Sequence, residues 1–495
     1  MIAAADQQIR RNKLTRLKSG AAPRALEICS GSGGLSLGLK TAGFDLTAHI
    51  EIDNEAARSY ALNFGGDRSA DDPWRLPRDM VACSAHDLVT ELGLSTSAAD
   101  SFDLLAAGLP CQAFARIGRS KLRSVAGHDD AFQRDPRASL YRRFLQYVHD
   151  TQPLAILIEN VPDILNFGGH NVPEEICETL EAVGYRTGYT ILNAAHFGVP
   201  QIRERLFIIA LADITGLKPA FPEPTHSLVL PRGYEGSRKV ALKYVDRTSG
   251  RFHEIHEPPA NLPVAVGTRD ALDDLPEIGE HRTDPSTIRR RRLSDQLPYR
   301  TSAKALSAYA TTMRTWPGFE TSDSASSHLV RLTPRDFPIF AKMKHGDDYP
   351  RAREVAECLF RKALIQQGNS PRYTKSAAYT ALWAAMVPPY DPDKFPNKWW
   401  KLDPLKPSRT LTAHMGKDTY SHIHYDHRQA RTISVREAAR LQSFPDGFEF
   451  AGAMNAAFRQ IGNAVPPLLG LAVAKVLRRQ LVESTIEKAD DRQVA

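Results

Sequence analysis

Residues 26–35 read LEICSGSGGL, an apolar strand that runs into Gly-x-Gly-Gly and then into an amphipathic segment, Leu35 to Ala42. Glycines at such a turn let the backbone approach a ligand closely and turn sharply into a helix. The stretch therefore predicts an α/β fold of the nucleotide-binding type. It does not by itself name the ligand.

Acidic residues follow the next two predicted strands. The apolar run from Leu46 to Ile52 closes with Glu51-Ile52-Asp53, about 20 residues after the glycines, where nucleotide-binding α/β folds place a carboxylate for ribose hydroxyls. Asp87 stands at the next plausible strand end and could accept a hydrogen bond from an adenine amine. Each of these carboxylates could instead simply cap a helix.

Two further strand ends carry side chains with reactive chemistry. The apolar run from Phe102 to Gly108 leads into LPCQAF, so Cys111 is predicted at a strand tip. A thiol with a pKa of about 8.5 needs an activating environment to react near neutral pH. Ala155 to Ile158 reads as a buried parallel strand with Glu159 at its carboxyl end. Ligands bind at that edge of an open α/β sheet, so Cys111 and Glu159 are predicted to face one crevice.

A pair of arginines enters another apolar strand, QIRERLFIIA at residues 201–210. Alternation along a strand puts Arg203 and Arg205 on one face. Two guanidiniums there suit phosphate and carbonyl recognition and would lower the pKa of a nearby thiol, although an exposed salt-bridged pair is the alternative. Far along the chain, QIGNAVPP at residues 460–467 has the pattern of a second ligand-contacting turn, which predicts a return to the starting domain.

In this order, the motifs resemble the DNA cytosine-5 methyltransferase family: the Gly-x-Gly-Gly loop, Pro-Cys-Gln, Glu-Asn-Val, Gln-x-Arg-x-Arg, a variable region and Gly-Asn-Ala-Val-Pro. PSRTLT (407–412) and REAARLQSFP (436–445) are also similar to C-terminal blocks of that family. The resemblance implies a Rossmann-like S-adenosylmethionine-dependent methyltransferase domain with a large inserted target-recognition domain. It also implies a sequence-specific enzyme that acts on a cytosine flipped out of double-stranded DNA.

The resemblance further assigns roles to individual residues. Cys111 would attack carbon 6 of the ring, Glu159 would engage ring nitrogen 3, and Arg205 would hold the base carbonyl. Arg203 would support the phosphate and thiolate region. The implied substrate-binding residues are Gln112, Asn160 and Gln201. The implied cofactor-binding residues are Gly31, Ser32, Gly33, Gly34, Leu35, Glu51, Ile52, Asp87, Leu88, Pro110, Leu140, Asn463 and Val465. Two residues depart from the family pattern: Ala115 stands where a serine is common, and Cys29 where an aromatic residue is common.

Length and composition predict two domains, because 495 residues with 42% hydrophobic content exceed one compact unit. With the resemblance, we expect a basic N-terminal arm (1–20), a catalytic domain (21–210), a variable target-recognition domain (211–400), a return to the catalytic domain (401–485) and a tail (486–495). The first 20 residues carry five Lys and Arg without an apolar core, so they read as a mobile basic arm or a solvated helix, and neither as a signal peptide nor as a membrane span.

Charge supports a nucleic-acid partner. Residues 211–400 contain 28 Lys plus Arg against 22 Asp plus Glu, which is most of the net charge of +7. RRRR (289–292) and KWWK (398–401) are candidate phosphate and stacking contacts, although an arginine run is often a solvated loop. Five cysteines without a CxxC pair predict neither a zinc site nor a disulfide framework, so we expect a reducing compartment. With the DNA substrate that the resemblance implies, we expect a cytoplasmic, nucleoid-associated protein.

Three alternatives remain. The tRNA-directed relatives share the catalytic motifs, and FARIGR (114–119) resembles their nucleophile loop, but they have a small variable region introduced by Cys-Phe-Thr. A DNA-binding protein that has lost catalysis would be expected to lack Cys111 or Glu159. A nicotinamide-dependent enzyme would leave the Pro-Cys-Gln and Gln-x-Arg-x-Arg elements unexplained.

We expect a monomeric prokaryotic enzyme, either an orphan or part of a restriction-modification system with a separately encoded cognate endonuclease. The target sequence cannot be read from the chain.

Overall fold

The computed structural model describes residues 4–94, 96–110, 136–231, 234–254, 257–301, 305–367 and 376–490. The chain divides into two compact units. The first consists of Met1–Gly198, Arg203–Val264 and Ala464–Ala495, and the second of Val199–Ile202 and Ala265–Asn463.

A six-stranded sheet forms the centre of the first unit. Its strands are β1 (Arg24–Ile28), β2 (Asp45–Ile50), β3 (Leu104–Ala107), β4 (Ala155–Asn160), β5 (Tyr185–Asn193) and β6 (Glu204–Ala212). Their spatial order is β2-β1-β3-β4-β6-β5. The first four strands are parallel, whereas β6 is antiparallel to both β4 and β5. The carboxyl ends of β1 to β4 therefore share one edge, and β6 begins at that edge.

Strands β3 and β4 are buried at every position, as expected for parallel strands covered on both faces. The helices in chain order are α1 (Ala4–Lys18), α2 (Gly34–Thr41), α3 (Asn54–Phe64), α4 (Ala85–Glu91), α5 (Ala98–Ser101), α6 (Pro136–Thr151), α7 (Val172–Ala182), α8 (Tyr234–Ala241), α9 (Thr268–Leu272), α10 (Glu280–Thr283), α11 (Pro285–Arg290), α12 (Ala308–Arg314), α13 (Phe337–Phe340), α14 (Tyr349–Gln366), α15 (Ala377–Met386), α16 (Val435–Leu441), α17 (Met454–Asn463) and α18 (Pro467–Asp490). Two short strands, β7 (Leu297–Pro298) and β8 (Ser324–Ala325), pair in the second unit.

Helix α18 belongs to the first unit and packs against α2. A Cβ atom at Gly38 would overlap the backbone of Gly470 and Leu471, so the two helices approach more closely than side chains would allow. Within the described residues, one stretch, Met454–Val482, is long and apolar enough by length and composition to cross a membrane. It is 61% buried over its most apolar window, and the buried core helix of a soluble protein meets the same criterion.

Helix α1 lies against the opposite edge of the sheet. The ammonium group of Lys13 donates hydrogen bonds to the backbone carbonyls of Phe102, Thr151 and Gln152, which precede β3 and β4. Lys13 and Arg10 are both almost completely buried. The sequence predicts a mobile arm or a solvated helix here. The structure has a helix, but two of its basic side chains, Lys13 and Arg10, are buried, and Lys13 binds the backbone next to the sheet instead of facing solvent.

The second unit also corrects an expectation about exposed aromatic residues. Trp399 is fully buried and stacks on Tyr420 with ring centroids 4.8 Å apart. Lys401 is fully buried too, and its Nζ donates to the carbonyl of Phe340 at 3.0 Å. These two members of the KWWK segment are core residues rather than phosphate or stacking contacts. In the RRRR run, Arg291 pairs with Glu280 at 3.2 Å, and its three neighbours are exposed.

Candidate active site

The Gly-rich loop joins β1 to α2. Gly31 and Gly33 have φ angles of +57° and +94°, a region that side-chain-bearing residues rarely adopt. A Cβ at Gly33 would collide with the ring of Phe64, whereas one at Gly31 would meet nothing within 4 Å. Packing therefore requires glycine at position 33, while Gly31 leaves an open face where a ligand could lie. Gly34 then begins α2, and Leu35 is buried.

Glu51 ties this loop to the end of β2. Its Oε2 accepts the N–H of Gly31 at 2.8 Å, and its Oε1 accepts the N–H of Asp53 at 2.8 Å. Burial raises the pKa of Glu51, and these backbone hydrogen bonds oppose the shift. Ile52 is 66% exposed, which leaves an apolar side chain next to the carboxylate. The side chain of Asp53 caps the start of α3, which is the helix-capping role that the sequence left open as an alternative to ligand binding.

The hydroxyl of Ser32 is the strongest sign of a ligand at this loop. Ser32 is 2% exposed, and among the described residues its Oγ has no hydrogen-bond partner. A buried hydroxyl without a partner costs free energy, so a polar ligand group would satisfy it. This orphaned atom, the open face of Gly31 and the exposed Ile52 together fit the adenosyl cofactor that the motifs imply.

The other predicted cofactor residues lie in varied environments. Asp87 is exposed and completes a capping box with Ser84 at the start of α4, so the expected strand end before it is wrong and the helix-capping alternative applies. The remaining positions are the buried Leu88, the exposed Pro110, the half-buried Leu140, the exposed Asn463 at the end of α17 in the second unit, and Val465, which is 7% exposed in the first unit. Their cofactor contacts stay predictions.

Cys111, Gln112 and Ala115 lie outside the described residues, but the chain leading to the cysteine is described. The Gly108 N–H donates to the Ile28 carbonyl at 3.1 Å, which extends the β1–β3 pairing past the end of β3. Asn160, at the end of β4, donates from Nδ2 to the carbonyl of Leu109 at 2.8 Å. The amide of Asn160 thereby holds the segment two residues before Cys111.

An acidic and a basic side chain meet beside this segment. Antiparallel pairing of β4 with β6 brings Arg205 to the carboxyl end of β4, where its Nε lies 2.9 Å from Glu159 Oε1. A Cβ at Gly108 would lie 3.8 Å from Glu159 Oε2, so the end of β3 reaches the same carboxylate. The ends of β3 and β4 and the start of β6 thus meet at Glu159.

Burial dominates the electrostatics of this pair. Glu159 is 9% exposed, and desolvation raises the pKa of its carboxyl group, against the opposing effect of the Arg205 and Arg203 charges. Arg203 is fully buried just before β6 and contributes to the same field. A carboxyl group with a raised pKa, held by a guanidinium at a sheet edge, is suited to give a proton to a bound heterocycle.

Gln201 occupies a structural position in the second unit. It is fully buried, its Nε2 donates to the carbonyl of Leu441 at 3.1 Å, and its Oε1 accepts the N–H of Leu411 at 2.9 Å. A contact with substrate stays a prediction for this residue.

Two features near the site are absent from the sequence predictions. Arg238 on α8 donates to Glu204 Oε1 at 3.1 Å and to Glu257 Oε1 at 3.0 Å, so part of the predicted variable region packs on the catalytic strand β6. No local pattern marks Arg238. Cys29 adopts a φ of +56°, its Sγ lies 3.8 Å from Met80 Sδ, and burial raises the pKa of its thiol to about 12. So high a pKa leaves very little thiolate at Cys29 near neutral pH, so its thiol is a weak nucleophile.

The geometry defines an α/β enzyme with a ligand loop at a Gly-rich turn and a buried acid–guanidinium pair at the same sheet edge. A family model for C-5 cytosine-specific DNA methylases matches residues 24–479. M.OihORF3336P of Oceanobacillus iheyensis, provisionally named a type II methyltransferase, is 36% identical over 462 residues, 93% of this chain and 96% of the relative. The type II methyltransferase M.AgeI of Thalassovita gelatinovora is 29% identical over 482 residues, 92% of this chain and 99% of the relative.

The chain belongs to the C-5 cytosine-specific DNA methylase family and is a DNA (cytosine-5)-methyltransferase. A solved structure of an Escherichia coli prophage protein, provisionally named a DNA modification methyltransferase, shares the fold, with a TM-score of 0.57 and 21% identity over 93% of this chain and 99% of that chain. The predicted fold class, family and enzyme class are confirmed.

Proposed function

We propose that this chain transfers a methyl group to carbon 5 of a cytosine in a short sequence of double-stranded DNA, through a covalent adduct with Cys111. The observation that carries the proposal is the convergence of three strand ends on Glu159. Arg205 pairs with that carboxylate at 2.9 Å, and Asn160 holds the segment that leads into Cys111. A nucleophile, a proton donor and a carbonyl-binding cation are the three groups that addition to a cytosine ring requires.

The first step is addition to the ring. The Cys111 thiolate forms a bond to carbon 6 while Glu159 gives its proton to nitrogen 3, so the ring's electron density moves to carbon 5. Arg205 donates a hydrogen bond to the base carbonyl and stabilises the negative charge that develops there. Glu159 must begin protonated for this step, and the burial that raises its pKa supports that state.

Residues of the Gly-rich loop would hold the cofactor. S-adenosylmethionine, when bound, supplies the electrophilic methyl group that carbon 5 accepts. The Ser32 hydroxyl would donate to a polar group of the ligand, and Glu51 would use its remaining lone pairs for the ribose hydroxyls. Ile52 would contribute an apolar surface for the adenine.

Elimination completes the reaction. The proton on carbon 5 is lost to a base, and its bonding electrons restore the ring double bond as the carbon–sulfur bond to Cys111 breaks. The proton on nitrogen 3 returns to Glu159, so the thiolate and the carboxylic acid are both regenerated. Presenting the base in this way requires extruding it from the duplex, which costs a few kcal/mol and must be offset by contacts with DNA.

DNA contact is proposed for the target-recognition region at residues 211–400, of which the part from Ala265 onward lies in the second unit. The type II methyltransferase relatives support a role in a restriction-modification system, with a separately encoded cognate endonuclease. We propose a monomer that acts in the cytoplasm at the nucleoid.

A mechanism-based trap tests the proposal. DNA with 5-fluorocytosine at the target leaves no removable proton on carbon 5, so enzyme, cofactor and DNA should form an adduct that survives denaturing electrophoresis. Cys111→Ala should abolish the adduct. Cys358→Ala is the matched control, because that thiol is exposed on α14, and it should leave trapping unchanged. Absence of an adduct with a DNA that the enzyme methylates would contradict the covalent mechanism.

A further inference from the structure

A cavity of about 250 Å³ lies at the carboxyl end of β5, within the first unit. It is lined by residues 190–193 of β5, by residues 196–197, by the proline-rich segment 219–224 and by residues 253–254. Leu192 and Asn193 pair across the ladder with Arg205 and Glu204, so the cavity is one strand away from the catalytic arginine. The proposed methyl transfer uses none of the residues that line it.

Asn193 presents an unsatisfied donor. It is 3% exposed, and its Oδ1 accepts the N–H of Ala195 at 3.1 Å. That hydrogen bond fixes the orientation of the amide. In the described part of the chain, the Nδ2 group has no acceptor. A buried amide nitrogen without a partner is costly enough to indicate an occupant.

His196 presents an unsatisfied ring nitrogen of the opposite kind. It is also 3% exposed, and it lines the same cavity. Among the described residues its Nε2 has no hydrogen-bond partner. Burial lowers the pKa of the imidazole, which favours the neutral ring, and a neutral imidazole with its proton on Nδ1 can accept a hydrogen bond at Nε2. Asn193 and His196 both line the cavity, and each carries one polar atom that protein atoms do not satisfy.

The walls and the rim restrict the chemistry further. The ring of Phe221 meets that of His253 edge to face at 4.9 Å, and the buried Phe197 adds a second aromatic side chain. Glu223 and Glu254 are exposed at the rim, where they disfavour phosphate. In the described ranges, no three His, Cys, Asp or Glu side chains are placed to hold a metal ion.

We propose that this cavity is a second base-binding site, which takes a neutral, planar nucleobase with Asn193 Nδ2 donating to a ring carbonyl and His196 Nε2 accepting from a ring N–H. Its volume is below the ~300–1,000 Å³ of drug-sized sites, as suits a single ring system. The base could belong to a free nucleoside or to nucleic acid. The acidic rim favours the free nucleoside. The proposal is independent of methyl transfer.

Thymidine is the probe, measured by isothermal titration and saturation-transfer NMR on the full chain with saturating S-adenosylhomocysteine. Binding should weaken about tenfold or more for N3-methylthymidine, which lacks the ring N–H. Asn193→Asp keeps the oxygen that accepts from Ala195 but loses the donor, and it should cause a similar loss. Asn12→Asp makes the same chemical change on the exposed face of α1 and should have no effect. Phe221→Ala provides a second test if Asn193→Asp fails to fold.

Two further ligands distinguish a free nucleoside from a base carried by nucleic acid. Thymidine 5′-monophosphate should bind more weakly than thymidine if the occupant is a free nucleoside, whereas tighter binding of oligothymidylate would assign the site to a base carried by nucleic acid. The proposal is overturned if thymidine does not bind, if N3-methylthymidine binds equally well, or if Asn193→Asp and Phe221→Ala leave affinity unchanged. A separate titration with S-adenosylhomocysteine alone distinguishes these failures from a failure of the methyltransferase assignment.

Discussion

Replacing Glu159 by glutamine tests the proton-donor role directly. The side chain is 9% exposed and lies 2.9 Å from Arg205. Glutamine retains an oxygen that can accept from Arg205, so the local geometry should persist, but its amide has no acidic proton to transfer. General acid catalysis contributes about 10²–10⁴-fold, which corresponds to about 2.7–5.4 kcal/mol in the activation barrier. We expect Glu159→Gln to lower kcat by a factor of about 10²–10⁴.

Stability should change less than turnover. A protonated Glu159 forms a hydrogen bond with Arg205 and no ion pair, so glutamine removes no charge, and an imperfectly satisfied buried amide should lower the free energy of unfolding by only about 1–3 kcal/mol. Glu204→Gln is the matched control, because Glu204 is also a largely buried carboxylate paired with an arginine, Arg238. It should show a similar loss of stability with nearly normal turnover.

The assay is single-turnover methyl transfer to a duplex containing the target, with DNA affinity measured separately. In the wild type, turnover should fall as pH rises through the raised pKa of Glu159, because the protonated acid is required. Glu159→Gln should lack that alkaline decline. The reasoning is refuted if Glu159→Gln keeps kcat within tenfold of the wild type, or if it loses DNA affinity rather than turnover.

Further predictions concern the nucleophile, the cofactor loop and the second unit. Cys111→Ala should bind DNA and cofactor yet retain less than about one part in a thousand of turnover, and greater residual activity in a filter-binding methyl-transfer assay would sink the nucleophile assignment. Ser32→Ala should weaken S-adenosylhomocysteine binding by roughly five- to tenfold in calorimetry, since one hydrogen bond of about 1 kcal/mol is lost, whereas Ser30→Ala, whose hydroxyl contacts a histidine, should not. Burial lowers the pKa of His422 to about 4, so the unfolded state binds more protons between about pH 6.5 and 4. In urea denaturation, this group should therefore lower the free energy of unfolding by up to about 3 kcal/mol as the pH falls from about 6.5 to about 4. The decrease should be smaller in His422→Leu and unchanged in His149→Leu, whose histidine is exposed. Equal decreases in the wild type and both variants would exclude His422 as a cause.

Much of the catalytic unit follows from local patterns. Runs such as Ala155 to Ile158 can only be buried strands in this context, and parallel strands bring their carboxyl ends to one edge. The placement of Glu159 at the edge to which β3 leads was therefore predictable. Arg205 reaches the same edge from the amino end of the antiparallel strand β6, and no local pattern indicates that direction. The role of Glu51 in fixing the Gly31 backbone follows the same logic, because both residues leave neighbouring strands at that edge.

Tertiary burial could not be read from the same patterns. In the sequence, Lys13 has the pattern of a solvated basic residue. In the structure, its ammonium group donates hydrogen bonds to three backbone carbonyls that precede strands β3 and β4. Trp399 looks like a stacking platform, yet it forms part of a core with Tyr420. In both cases the partner lies far away in sequence. Arg238 could not be predicted for the same reason, because its partner Glu204 on β6 is distant in sequence. Arg238 itself lies in a segment that the sequence analysis assigns to DNA recognition.

Bisulfite sequencing of plasmid DNA from cells that express this protein or its Cys111→Ala variant tests the central claim most directly. The account predicts cytosines protected at one position of a single short motif in the wild type, and full conversion at that motif in the variant. DNA that remains unmodified in cells with folded, cofactor-binding wild-type protein would contradict it, and tRNA would then be the substrate to examine.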